Sequence, residues 1–145
     1  MKKVLIIGYG NTLRGDDGAG VRAAAMAAER HREADWVSLQ ELHPEIAEVM
    51  TNYESVIIVD AALDVEDVVT TQIRPSHLNG FENNHSYSPQ ALVNVCHALY
   101  HTAPSNTYLI RIPATTMDFS EQISSRTSEK IVETIAIIDG LLADH

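Results

Sequence analysis

Residues 3–22, KVLIIGYGNTLRGDDGAGVR, decide how the chain folds. The run Val4-Leu5-Ile6-Ile7 is continuously apolar, as a strand buried on both faces requires, and Gly8 ends it. Beyond Asp17, Val21, Ala24, Ala25 and Ala28 return at helical period as far as about residue 32. Asp16 or Asp17 stands where an N-cap belongs. Strand, glycine-rich turn and helix in this order open a βαβ unit. Such a turn usually receives an anion at the helix N-terminus. This one carries two adjacent aspartates, so a phosphate is the wrong occupant and a cation the natural one.

The rest of the chain repeats the alternation. Residues 35–39 (DWVSL) read as a second strand. Pro44 opens a helix with Glu45 in its first turn and Ile46, Val49 and Met50 as its inner face. Residues 55–60 (SVIIVD) form the clearest buried strand and close on Asp60. Residues 68–73 (VVTTQI) follow closely enough to pair antiparallel with it at an edge. A polar loop over 74–87 carries His77 and His85. Ser88-Pro89 then caps a helix reaching about residue 101. Residues 106–112 (NTYLIRI) make the last strand, ended by Pro113. After a loop through residue 125, Ile131, Ile135, Ile138 and Leu142 stripe the final helix.

This order predicts a single α/β domain over 1–145. It has a mostly parallel twisted sheet of roughly five strands, helices on both faces and one antiparallel edge strand.

A net charge of −10 over 145 residues disfavours nucleic acid and anionic membrane as partners. The apolar run behind Met1-Lys2-Lys3 falls short of a secretory core, roughly 7–15 residues. No apolar stretch approaches the roughly 18 residues of a membrane span. The expected compartment is the cytoplasm. The single cysteine, Cys96, shares a helical stripe with Leu92, Val95 and Leu99 and reads as a small buried hydrophobe.

In open parallel sheets, ligands bind beyond the carboxyl ends of the strands. Asp16 and Asp17 fall there after the first strand, Asp60 at the end of the third, and His77 and His85 in the loop after the fourth. His43, His97, His101 and His145 read as surface or helix-face residues. Two carboxylates and an imidazole at one rim form a mixed oxygen–nitrogen set suited to zinc, iron or nickel. Other readings of the turn fail on named residues. Gly8-Tyr9-Gly10-Asn11-Thr12-Leu13 lacks the third glycine of a dinucleotide fingerprint. The Gly-Lys-Ser/Thr ending of a phosphate loop is absent. A response-regulator receiver needs a lysine after its last strand, where Arg111-Ile112-Pro113-Ala114 stands.

The pattern Gly8-x-Gly10-Asn11-x-Leu13-x-x-Asp16-Asp17-Gly18-x-Gly20, followed by Ile57-Ile58-Val59-Asp60-Ala61 and a loop histidine before a helix, resembles the hydrogenase maturation endopeptidases. The likeness runs along nearly the whole chain and includes residues 117–124 (MDFSEQIS), similar to the family's segment before its final helix. The resemblance implies an α/β fold and an aspartic-type endopeptidase activity. Such enzymes remove a C-terminal extension from the large-subunit precursor of a [NiFe] hydrogenase once nickel is in place, and so activate it. It further implies a divalent-metal site of Asp17, Asp60 and His85, with the two aspartates also catalytic. The metal is nickel brought by the substrate, although other divalent ions suit the same ligands. Asp16 is left to cap the helix and fix the turn. Where many relatives have His-Gln-Leu-Gly-Leu, this chain has His85-Ser86-Tyr87-Ser88-Pro89, which keeps His77 in competition as third ligand. A non-catalytic, nickel-checking chaperone on the same fold is the alternative, because the same three ligands would serve it.

Overall fold

A computed structural model describes residues 3–76 and 87–143. The elements are β1 (Val4–Tyr9), a 3-10 turn (Gly15–Gly18), α1 (Ala19–Arg30), β2 (Asp35–Leu39), α2 (Glu45–Met50), β3 (Ser55–Ala62), β4 (Val69–Ile73), α3 (Pro89–Tyr100), β5 (Asn106–Pro113) and α4 (Ser125–Ala143). The five strands form one sheet in the order β2-β1-β3-β5-β4. β1 pairs in parallel with β2 and β3, β3 in parallel with β5, and β4 antiparallel with β5.

The two continuously apolar runs are therefore interior strands. Their side chains alternate between two apolar layers. On one face Ile6, Ile57, Val59 and Ile110 pack with Ala23, Ala24 and Ala27 of α1 and Ile131, Ile135 and Ile138 of α4. On the other, Leu5, Ile7, Val56 and Ile58 meet Met50 of α2 and Leu92, Val93 and Cys96 of α3. The Cys96 thiol is buried, donates to the Ala47 carbonyl at 3.2 Å and is pushed up to about 11 by burial, as its apolar setting requires.

α1 lies unusually close to the sheet because its inner face is glycine and alanine. A Cβ on Gly20 would stand 2.4 Å from the Val59 carbonyl oxygen and 3.1 Å from the Asp60 Cα. No side chain fits there, and this contact brings the start of α1 against the end of β3. α3 is bounded as its sequence predicts. The Ser88 hydroxyl accepts from the Ala91 N–H at 3.1 Å, Pro89 starts the helix, and His101 ends it in the left-handed conformation at φ 57°.

Four local expectations change. Neither Asp16 nor Asp17 caps α1, whose N-cap is Gly18 with no side-chain bond, since both carboxylates are engaged elsewhere. β4 pairs with β5 instead of β3, because β5 inserts between them and takes the edge of β3 along its whole length. In the short α2 the inward residues are Ala47 and Met50, joined by Leu42 just ahead of it, while Val49 is 40% exposed. Leu99 points away from the Cys96 stripe and is exposed.

Candidate metal site

The sheet register lines up the rim. Gly8 pairs with Val59, so the next residues, Tyr9 and Asp60, are neighbours, and Asp60 pairs with Arg111. All three side chains emerge on the face of Ile7, Ile58 and Leu109, which α2 and α3 cover. Asp60 is not the last residue of its strand. β3 continues to Ala62 because β5 pairs with it as far as Pro113. The carboxylate is consequently walled by strands on both sides.

Burial is the main force on Asp60 and pushes its carboxyl up to about 6. A hydrogen bond with the Tyr9 side chain, the Ala61 N–H and the Arg111 charge pull the other way, and the Asp17 charge adds to the rise. Tyr9 is held firmly as the neutral phenol, first by burial and then by the Asp60 charge and the hydrogen bond to it. The carboxyl is buried beyond what its hydrogen bonds and the Arg111 charge offset.

Asp17 reaches the same space from the 3-10 turn. Its Oδ2 accepts the Asn11 N–H at 2.7 Å, which folds the turn back over it. Gly10 makes the fold-back possible: its φ is 139°, and a Cβ there would meet the Asp17 carbonyl oxygen at 2.1 Å. The acids thus divide their labour. Asp17 and Asp60 face one another's field, whereas Asp16 is fully buried and structural.

Asp16 accepts the Thr115 N–H at 2.7 Å, the Ser124 N–H at 2.7 Å, the Ser124 hydroxyl at 2.8 Å and the Thr127 hydroxyl at 2.9 Å. Burial alone would raise its carboxyl, but these bonds outweigh it and hold it below the usual range. Around it the Gly15 N–H bonds the Ser120 carbonyl at 2.7 Å and the Ser120 N–H bonds the Leu13 carbonyl at 2.9 Å. Residues 117–124 are in this way stitched to the glycine turn.

Across nearly its full length the chain superimposes on several solved structures, hydrogenase maturation proteases among them. It matches the hydrogenase maturating endopeptidase HybD of E. coli with a TM-score of 0.75 at 19% identity, covering 99% of this chain and 93% of that one. The chain has the fold of the hydrogenase maturation endopeptidases. A [NiFe] hydrogenase maturation protease HybD from Thermococcus kodakarensis matches with a TM-score of 0.65 at 22% identity, covering 97% and 99% of the two chains. The HycI protease of the same organism gives 0.69 at 21%, covering 98% and 93%. No protein-family model matches the chain, and no curated protein matches it by sequence. The resemblance read from the glycine turn thus holds at the level of fold.

Asp17 and Asp60 both lie at the carboxyl edge of the sheet, where the Asp17 charge acts on Asp60. His85 and its competitor His77 lie outside the described residues. Among the described residues no three His, Cys, Asp or Glu side chains gather into a complete metal-holding set. No helix among them is long and apolar enough to cross a membrane. Two rim residues went unread in the sequence as part of the site, Tyr9 and Arg111. For Arg111 the available signal was a charge near the end of NTYLIRI, where an interior strand should be apolar.

Proposed function

We propose that this protein is a maturation endopeptidase that removes a C-terminal extension from the large-subunit precursor of a [NiFe] hydrogenase after nickel insertion. The observation that carries the reading is that the buried Asp60 lies at the rim within reach of the Asp17 charge, in a fold shared with such proteases. Two carboxylate oxygen donors fit a divalent ion of hard-to-borderline character. The proposed ligands are Asp17, Asp60 and His85, with the nickel brought in by the precursor. Three protein ligands leave coordination positions to the substrate's own groups.

The reaction needs an activated water beside the scissile peptide bond. Asp60, ionised at neutral pH and set beside the scissile bond, is the carboxylate that would accept a proton from that water. Tyr9, held as the phenol, steadies the carboxylate without competing for its proton. Asp17 is anchored by the Asn11 N–H and presents its charge to the same point. Nickel held there by Asp17, Asp60 and His85 would supply Lewis acidity to the peptide carbonyl.

The test is mass spectrometry of nickel-loaded and nickel-free precursor after incubation with the purified protein. The loaded precursor is expected to shorten near its C-terminus and the nickel-free one to stay intact. Equal cleavage of both would overturn nickel recognition. Complex formation without cleavage would make the protein a nickel-checking chaperone.

A further inference from the structure

Arg111 is the one element of the rim with no place in the cleavage reaction. It pairs across the backbone with Asp60, on the same face, and its charge acts on both Asp60 and Tyr9. Its guanidinium, however, is turned outward, to Asp64 at 2.6 Å. Asp64 lies just past the end of β3 and is 70% exposed, while Arg111 is 33% exposed. The cation thus stands between an exposed carboxylate that it pairs with and a buried carboxylate that feels its charge without a direct bond to it.

We infer that Arg111 is a built-in competitor for the Asp17–Asp60 pair, setting the site against free divalent ions and in favour of a metal delivered within a docked substrate. The inference rests on the metal-site reading above. Any cation entering between Asp17 and Asp60 gains their attraction but meets the repulsion of a guanidinium anchored one strand away. A free ion has nothing else with which to offset that repulsion. An ion held in a protein substrate has the docking contacts of the whole substrate behind it. Asp64 sets the balance, because its pull on Arg111 decides how far the positive charge stands from Asp60. Discrimination of this kind is a repulsive device directed at the wrong ligand.

The experiment is calorimetric titration of the metal-free protein with nickel sulfate and with zinc sulfate at neutral pH, each variant being checked for native circular dichroism. Arg111→Met keeps the aliphatic stem and removes the charge, and it should bind either ion ~10-fold more tightly than wild type. Asp64→Asn lies on the surface and leaves the rim intact. It should release the guanidinium toward Asp60 and weaken binding by a similar factor. Adding Asp60→Asn to Arg111→Met should abolish the gain. Unchanged or weaker binding by Arg111→Met, or a gain that survives loss of Asp60, would overturn the inference. If wild type binds through Asp60 and Arg111→Met merely equals it, the metal site stands and the competitor role falls. If neither binds, Arg111 is not what keeps free ions out, while precursor cleavage still tests the site by itself.

Discussion

Asp16 and Ser124, 108 positions apart in sequence, are joined twice: the Ser124 N–H and its hydroxyl both donate to the Asp16 carboxylate, at 2.7 and 2.8 Å. The same carboxylate takes the Thr115 N–H, so one buried charge ties the glycine turn to the exit of β5 and the entrance of α4. The Ser124 hydroxyl also accepts the Thr127 N–H at 3.3 Å, which caps α4.

Asp16→Ala leaves the part-buried N–H groups of Thr115 and Ser124 without their acceptor, while the Thr127 hydroxyl keeps the Pro113 carbonyl. The expected loss is about 1–3 kcal/mol of unfolding free energy, measured by urea denaturation. Asp16→Asn should cost nearly as much, because its amide would point a donor at donors. The folded carboxyl titrates below its unfolded value. Its stabilisation is therefore complete above about pH 4 and is lost as pH falls through the folded value. Wild type should lose stability steeply on acidification below that point, and Asp16→Asn should lack this component. A variant as stable as wild type would mean that the network carries little.

Asp60 has the opposite sign. Its folded carboxyl titrates near 6, above the unfolded carboxylate, so the native state holds the proton more tightly. Stability should fall as pH rises from about 4 to 6, and ionised Asp60 should cost the fold about 1–3 kcal/mol at neutral pH. Asp60→Asn is expected to be more stable than wild type at pH 7 by this order and to flatten the slope in that window. Tyr9→Phe removes a hydrogen bond that favours the charged form, and it should move the Asp60 midpoint above 6. Carbon NMR of the carboxyl reads the shift directly. A midpoint near an ordinary aspartate in wild type would refute the description of Asp60 as a buried carboxyl.

Gly20→Ala tests the close seat of α1 on β3. The new methyl would meet the Val59 carbonyl at 2.4 Å, and backbone cannot yield as a side chain would. A loss of about 1–3 kcal/mol is expected. Because α1 must lift, the 3-10 turn carrying Asp17 should shift as well, and metal titration should weaken in parallel. Stability lost with metal binding unchanged would show that the turn is held independently, through Asp16.

The fold was legible where one residue type could do only one thing. Val4–Ile7 and Val56–Val59 had to be interior strands, and Ser88-Pro89 had to start a helix. Sequence could not show that β5 would take the edge of β3, because the pairing of β4 is decided by a strand more than thirty residues later. The acids divided less clearly. Asp16 and Asp17 are chemically identical neighbours, and only the arrival of Ser124 and Thr115 from the far end of the chain distinguishes the structural one. Tyr9 and Arg111 were hidden for a similar reason. Each sits in its own strand as an ordinary residue, and register alone makes them flank Asp60.

The sharpest functional test separates charge from architecture at Asp17. Its Oδ2 holds the Asn11 N–H at 2.7 Å, a bond that an asparagine side-chain carbonyl can also accept. Asp17→Asn should therefore keep the turn folded, with stability within about 1 kcal/mol of wild type, while halving the negative charge offered to a metal. Asp17→Ala loses the bond as well, and should cost a further ~1 kcal/mol through the freed Asn11 N–H and not through any cap on α1. Both variants should fail to shorten a nickel-loaded precursor, and Asp60→Asn should fail with them despite its added stability. The paired measurement is precursor mass spectrometry alongside thermal denaturation. Full cleavage by Asp17→Asn would show that the residue serves the turn alone and would remove it from the metal site. Loss of cleavage only in Asp17→Ala would assign its effect to the Asn11 bond instead of its charge.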